Sequence, residues 1–251
     1  MKQKFTSAII IGISVVLTGF LLGQAFKNRN TNLDAISVIG LGTKDFVSDE
    51  MLWTANFTTT DFDIKAAYNK IVSNQKIIAA YFINKGFKSS DFLFSAVDFQ
   101  KKFREVRKEN SNNQNEYEQI FEGYIASQTV RFVSKKNPGL MLKIENVSSK
   151  TSELINSGIE LSSNSIQYTF SDLPSLKQSL IEKATKDASE RAEKIVNTAD
   201  GTLGKLKTAS MGVFQITGQG STEEDSYGGI NDTYSKNKTA RITVRLEYEL
   251  D

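Results

Sequence analysis

Antiparallel sheets carrying three main helices, an α+β class, are what three features of the 251-residue chain predict. Near the C-terminus Ile242, Val244, Leu246, Tyr248 and Leu250 alternate with Arg241, Thr243, Arg245, Glu247 and Glu249. Strict alternation describes a strand with one buried and one wet face, as in an antiparallel sheet. Three longer stretches repeat apolar residues at spacings of three and four, the helical period. Each stops at a glycine (Gly86, Gly158, Gly201) and hands over to a strand, so the order reads β β α β β α β α β β. That order describes weakly repeated strand-helix-strand units with helices on one face of the sheets, not a doubly wound fold.

Composition narrows the chemistry. An apolar fraction of 39% and a charged fraction of 24% are ordinary for a folded domain. The net charge of +2 equals the contribution of Lys2 and Lys4, so the rest of the chain is balanced and offers no electrostatic argument for nucleic acid. With no cysteine there is no disulfide, thiolate metal site or thiol nucleophile. With no histidine, the usual general base and the commonest metal ligand are missing together, which lowers the expectation of catalysis.

In chain order, Lys2 and Lys4 precede an uncharged run from Phe5 to Phe26, and Lys27 and Arg29 follow it. As a helix the run would extend roughly 33 Å at about 1.5 Å per residue, enough for a bilayer. Residues 1–27 therefore read as a signal anchor, or as a signal peptide with Gly23-Gln24-Ala25 as the cleavage site. Length favours the anchor; either way the rest of the chain is placed outside the cytoplasm. Residues 28–34 are polar, a linker, and 35–251 form one domain.

Strands are expected at Ile36–Gly42 and Met51–Thr60, the second alternating Trp53, Ala55 and Phe57 with Thr54, Asn56 and Thr58. Thr60-Asp-Phe-Asp63 resembles a capping box for a helix with Ile64, Ala67, Tyr68, Ile71, Gln75, Ile78 and Phe82 on one side. Asp91–Phe99 and Tyr117–Ser134 read as strands. Between them Lys101–Glu116, with Asn110–Asn115 at its centre, is too polar to bury a face and reads as a hairpin tip or insertion. Asn137 and Pro138 open a second helix, with Leu140, Ile144, Val147, Thr151, Leu154 and Ile155 along it as far as Gly158. After a strand over Ile159–Phe170, the longest helix carries Leu173, Leu176, Leu180, Ala184, Ala188, Ala192, Ile195 and Ala199. Its alanines would let its backbone approach a sheet closely, and Glu182/Lys186, Asp187/Arg191 and Glu190/Lys194 line its outer face. A strand over Leu206–Thr217 and a loose loop, Gly218–Lys236, precede the final strand.

No constellation in these elements makes a site. Gly201 and Gly204 follow a helix instead of preceding one, so no helix N-terminus faces a phosphate there; a helix stop and turn fits better. Gly218 and Gly220 with Glu223, Glu224, Asp225, Tyr227 and Asp232 offer oxygen ligands but lack the spacing of a calcium loop. Trp53 with Phe57 and Phe62 reads as core, or as the lining of a small-ligand pocket. Asp34, Asp45, Asp49 and Glu50 show no pairing that sequence establishes. Lys101–Lys108 with Phe103 is basic but reads as a solvated loop. No catalytic, cofactor-binding or metal-binding residue is assigned.

The pattern resembles the SIMPL domain family, which includes bacterial periplasmic immunogenic and oxidative-stress-defence proteins, in its membrane-anchored type. The resemblance is carried by Ile36–Gly42 with Trp53, by Tyr68 and Ile71 running into Asn84–Phe87, and by Ser157–Ile159. It is carried above all by Tyr168–Phe170, Leu173, Ala184, Ala188, Arg191–Glu193, Gly201, Leu203–Leu206 and Gly212–Phe214. It implies an exported α+β domain without established catalytic residues or cofactor, in a family where some members form ring- or cage-like homo-oligomers and some are linked to envelope stress tolerance. The expectation is a non-enzymatic envelope protein working through contacts with itself or other envelope proteins. The alternative is a small-ligand or envelope-polymer module with a pocket near Trp53.

Overall fold

The computed structural model describes residues 2–29, 35–107, 117–221 and 228–250, with backbone alone at 2–11 and 27–29. Helix α1 spans Lys2–Arg29. Strands β1 (Ala35–Val47) and β2 (Glu50–Asp61) precede helix α2 (Ile64–Asn84). Strands β3 (Phe92–Phe94), β4 (Asp98–Arg107) and β5 (Tyr117–Lys135) lead to helix α3 (Pro138–Ser148) and a 3-10 turn, Thr151–Ser157. Short strands β6 (Ser162–Ser163) and β7 (Gln167–Thr169) come before helix α4 (Leu173–Thr198). Strands β8 (Leu203–Met211), β9 (Gln215–Gly218) and β10 (Asn237–Leu250) complete the order. All of these strands pair antiparallel, so the class is α+β.

Two sheets divide the strands. In the first, β10 lies between β1 and β8, and β9 pairs with the stretch of β10 nearer its start. In the second, β5 has β3 and β4 along one edge and β2 along the other, with β6 and β7 beyond β2. Sequence neighbours β1 and β2 therefore belong to different sheets, and Ser48 and Asp49 carry the chain across.

Each sheet has its own core. On the first, Val38, Ala240, Ile242, Val244 and Leu246 are buried against Leu176, Leu180, Ala184, Ala188 and Ala192 of α4. The alanines meet glycines: a Cβ added at Gly40 would come under 3.0 Å from the Ala184 carbonyl and the Ala188 amide, and one at Gly42 would strike the Leu180 carbonyl. Helix and strand thus touch backbone to backbone. On the second sheet, Met51, Trp53, Ala55 and Phe57 of β2 and Val130 and Phe132 of β5 pack on Ala67, Ile71, Ile78 and Phe82 of α2 and on Met141, Ile144 and Val147 of α3. Phe82 is the hub, with ring centroids 4.8 Å from Phe132, 5.5 Å from Phe92 and 6.1 Å from Trp53.

Several expected boundaries move. The cap of α2 is Asp63, whose carboxylate accepts the Ala66 N–H at 2.8 Å, and not Thr60, which is still in β2. The strand expected over Asp91–Phe99 breaks at Ser95–Val97. Its second part, β4, runs on through Lys101–Arg107, which had read as loop. Charge misled there, because the segment pairs across to β5 through Lys102–Glu122 and Arg104–Glu122 contacts of 3.1 and 3.0 Å instead of burying a face. Asn110–Asn115 lies outside the described residues. Ile159–Phe170 holds two short strands pairing with different parts of β2, and Leu206–Thr217 is broken at Gly212–Phe214. Helix α3 ends at Ser148, ten residues before Gly158, the left-handed residue (φ 74°) that closes the 3-10 turn. At the end of α4 the buried residue is Val196, while Ile195 is 54% exposed, because spacings of four drift around a 3.6-residue helix. The left-handed residue after α4 is Asp200 (φ 54°), and Gly201 donates its N–H to the Val196 carbonyl.

The described side chains of α1, Gly12–Phe26, are exposed on every side. Among the described residues no helix is long and apolar enough to cross a membrane. The uncharged run of the sequence begins at Phe5, ahead of those side chains.

Candidate functional site

Trp53 is not at a pocket. It is fully buried beneath α2, its Nε1–H donates to the Ser163 hydroxyl at 3.0 Å, and Phe57 is buried beside it while Phe62 is 71% exposed. The pocket reading is overturned and the core reading stands. A β2 side chain on the helix-covered face has no route to solvent, and the ring's one polar atom already has a partner.

The acidic candidates are dispersed. Asp45 accepts from the Thr239 hydroxyl at 2.6 Å and from Gln219 at 3.1 Å, and Asp49 accepts from the Ser171 hydroxyl at 2.6 Å and its N–H at 2.8 Å. Glu50 accepts from Thr169 at 3.4 Å. Asp232 accepts two backbone N–H groups of the turn that follows it, from Tyr234 and Ser235. Each is engaged in holding two segments or a turn together. Asp34, Glu223, Glu224, Asp225 and Tyr227 lie outside the described residues. Among the described residues no group of three or more acids could hold a metal ion.

Three surfaces escaped sequence reasoning. The first is a cleft of about 470 Å³ at the junction of the two sheets, walled by Val47, Pro138, Met141 and Leu142, with Lys136 and Lys236 among its lining residues. Lys236 pairs with Glu145 at 2.8 Å, and Glu145 also accepts the Tyr168 hydroxyl at 3.0 Å. Burial, with Glu145 beside it, pushes the Tyr168 phenol up to about 12 and keeps it a neutral donor. Apolar walls beside ammonium groups suit an apolar group with an anionic end.

The second is the two-stranded ribbon formed by β4 and the first third of β5, beyond the point where β2 stops pairing at Asp61 and Tyr124. Among the described residues no third strand pairs with them; Phe103, Ile120 and Phe121 are 47%, 42% and 38% exposed, and Phe103 and Phe121 stack across the ribbon at 5.7 Å.

The third is the outer edge of β1. Among the described residues β1 pairs with β10 alone, and a groove of about 600 Å³ lies between it and the second half of α4. The Leu41 N–H, turned away from β10, donates to Asp187 Oδ2 of α4 at 2.8 Å, and the same oxygen receives Arg191 Nε at 2.9 Å. The Leu41 amide, then the Arg191 guanidinium, hold the Asp187 carboxyl below its ordinary value. A carboxyl depressed in the fold stabilises it above its unfolded pKa, about 3.9, and that stabilisation is lost as pH falls through the lower folded value. In urea titrations between pH 5 and pH 2.5, Asp187→Asn is therefore expected to lose less stability than the unaltered chain. Equal losses would remove Asp187 from the acid response.

Two antiparallel sheets, linked by the chain once between β1 and β2 and again through α4, with α4 seated on Gly40 and Gly42 of β1, define an α+β domain. Residues 36–248 match the family model SIMPL, "Protein of unknown function (DUF541)", and the chain belongs to that family. Among curated proteins, none matches the chain.

Proposed function

We propose that this SIMPL-family protein is exported to the bacterial cell envelope, is held at the extracytoplasmic face of the inner membrane by its N-terminal helix, and works without catalysis through contacts with its own copies or other envelope proteins. The anchor reading rests on sequence and exposure together. An uncharged run flanked by Lys2, Lys4, Lys27 and Arg29 becomes a helix whose described large apolar residues, Ile13, Val16, Phe20 and Phe26 among them, are all more than half exposed. A helix apolar on every side needs hydrocarbon or protein around it. Tolerance of envelope or oxidative stress is the role the family resemblance suggests.

The observation that carries the contact reading is the β4–β5 ribbon. It holds aromatic and aliphatic side chains in water with no layer of the described chain over them, and isolated two-stranded ribbons are marginal unless something covers a face. Photocrosslinking side chains placed at Phe103, Ile120 or Phe121 of the full-length protein in intact cells are expected to yield adducts with envelope proteins or a second copy. Absence of adducts at all three, in protein recovered from the membrane fraction, would remove the reading. Recovery from the soluble cytosol would remove the localisation.

A further inference from the structure

In an antiparallel strand the N–H and C=O of one residue point the same way, and residues two apart repeat that direction. Leu41 points away from β10, so Ser37 and Ile39 do as well, into the groove beside α4. Those two residues present donors and acceptors without a strand partner among the described residues, repeating at about 6.8 Å along the edge. Unpaired backbone groups of this kind select an extended chain.

The facing wall selects its chemistry. Arg191, Lys194, Ile195 and Thr198, at spacings of three and four, form one stripe of α4 toward the strand. Arg191 is already shared with Asp187, but the Lys194 ammonium has no ion-pair or hydrogen-bond partner among the described residues. Ile195 offers an exposed apolar contact beside it. The free rungs end where Asp187 takes the Leu41 N–H, so the edge accommodates only a short segment.

We propose that this groove binds an extended acidic segment of a partner protein, which adds as a strand along Ser37–Ile39 and sets a carboxylate against Lys194 with an apolar side chain on Ile195. This deepens the contact reading above and rests on it, while naming a different surface and a partner chemistry.

The test uses the full chain in phosphatidylcholine nanodiscs and the fluorescence anisotropy of a labelled hexapeptide, glutamate-threonine-valine-threonine-glutamate-threonine, which sets glutamate and valine on one face of an extended strand. That peptide is expected to bind, and Lys194→Glu, a change at an exposed position, to weaken it about tenfold, the equivalent of about 1.4 kcal/mol. A peptide with lysine for glutamate, and one N-methylated along a single edge, are expected not to bind. The second keeps every charge and removes only the ability to pair as a strand. Undiminished binding of the N-methylated peptide, an unchanged affinity in Lys194→Glu, or no binding of the parent peptide would each overturn the proposal. So would a crosslinker at Ser37 that couples only to a second copy. Ribbon adducts in cells without peptide binding would leave the contact reading standing and eliminate this groove alone.

Discussion

Trp53→Ala is expected to destabilise the protein by about 3–5 kcal/mol, the range for removing a large aromatic from a packed core. The indole is fully buried, its ring lies 5.1 Å from Phe132 and 6.1 Å from Phe82, and its N–H is the partner of Ser163 in the short strand β6. Alanine would leave a cavity beneath α2 and free the strand that Ser163 anchors. For a domain of this size such a loss lowers the melting temperature by roughly 6–20 °C. Because Trp53 is the only tryptophan, the unaltered chain supplies its own control. Its emission is expected to be blue-shifted and insensitive to iodide until unfolding. A quenchable native signal would mean that the residue lines an open pocket after all, and a melting point within 2 °C of the parent would refute its place in the core.

Gly40→Ala, a single added methyl, is expected to cost about 3 kcal/mol, at the upper end of the usual overpacking range. The atoms its Cβ would meet are the Ala184 carbonyl and Ala188 amide of α4, which unlike a flexible side chain have nowhere to turn. Relief requires α4 to lift from β1, which would also break the 2.8 Å bond from Leu41 to Asp187. Gly139→Ala is the matched control, since a Cβ there meets only Asn137 Oδ1 at 3.6 Å, and it is expected to leave thermal unfolding unchanged or slightly improved. Equal melting temperatures for the two variants would contradict the close packing of helix on strand.

How much of this was legible in advance depends on the range of the interaction. Asn137 and Asp63 show the contrast. The Asn137 cap is announced by Pro138 at the next position, and the structure has it, accepting the Leu140 N–H at 3.1 Å. Asp63 was misplaced because Thr60, three residues earlier, offers the same chemistry and only the length of β2 decides between them. Lys101–Arg107 was unreadable as strand for a different reason. The alternation rule detects a buried face, and a ribbon stabilised by cross-strand partners such as Glu122 has none.

The candidate surfaces divide in the same way. Arg191 and Lys194 read from the sequence as outer-face ion-pair partners and Ile195 as part of the buried stripe, whereas the structure brings them with Thr198 to the groove beside β1, and nothing local says that a free strand edge lies opposite. Lys136 and Lys236 are a hundred residues apart and meet at the cleft only because β1 and β2 enter different sheets.

By itself, then, the amino-acid sequence determined the class, the alanine-striped helix, the alternating terminal strand and the family, because periodicity and capping act over a few residues and survive without knowledge of neighbours. The tertiary structure decided the rest. It chose which strand lies at an edge, sealed Trp53 under a helix, set Gly40 against Ala184, and left the β4–β5 ribbon uncovered by the described residues. Those outcomes depend on which distant segments pair, and pairing is settled by the burial of whole faces and the closing of backbone hydrogen bonds across the chain.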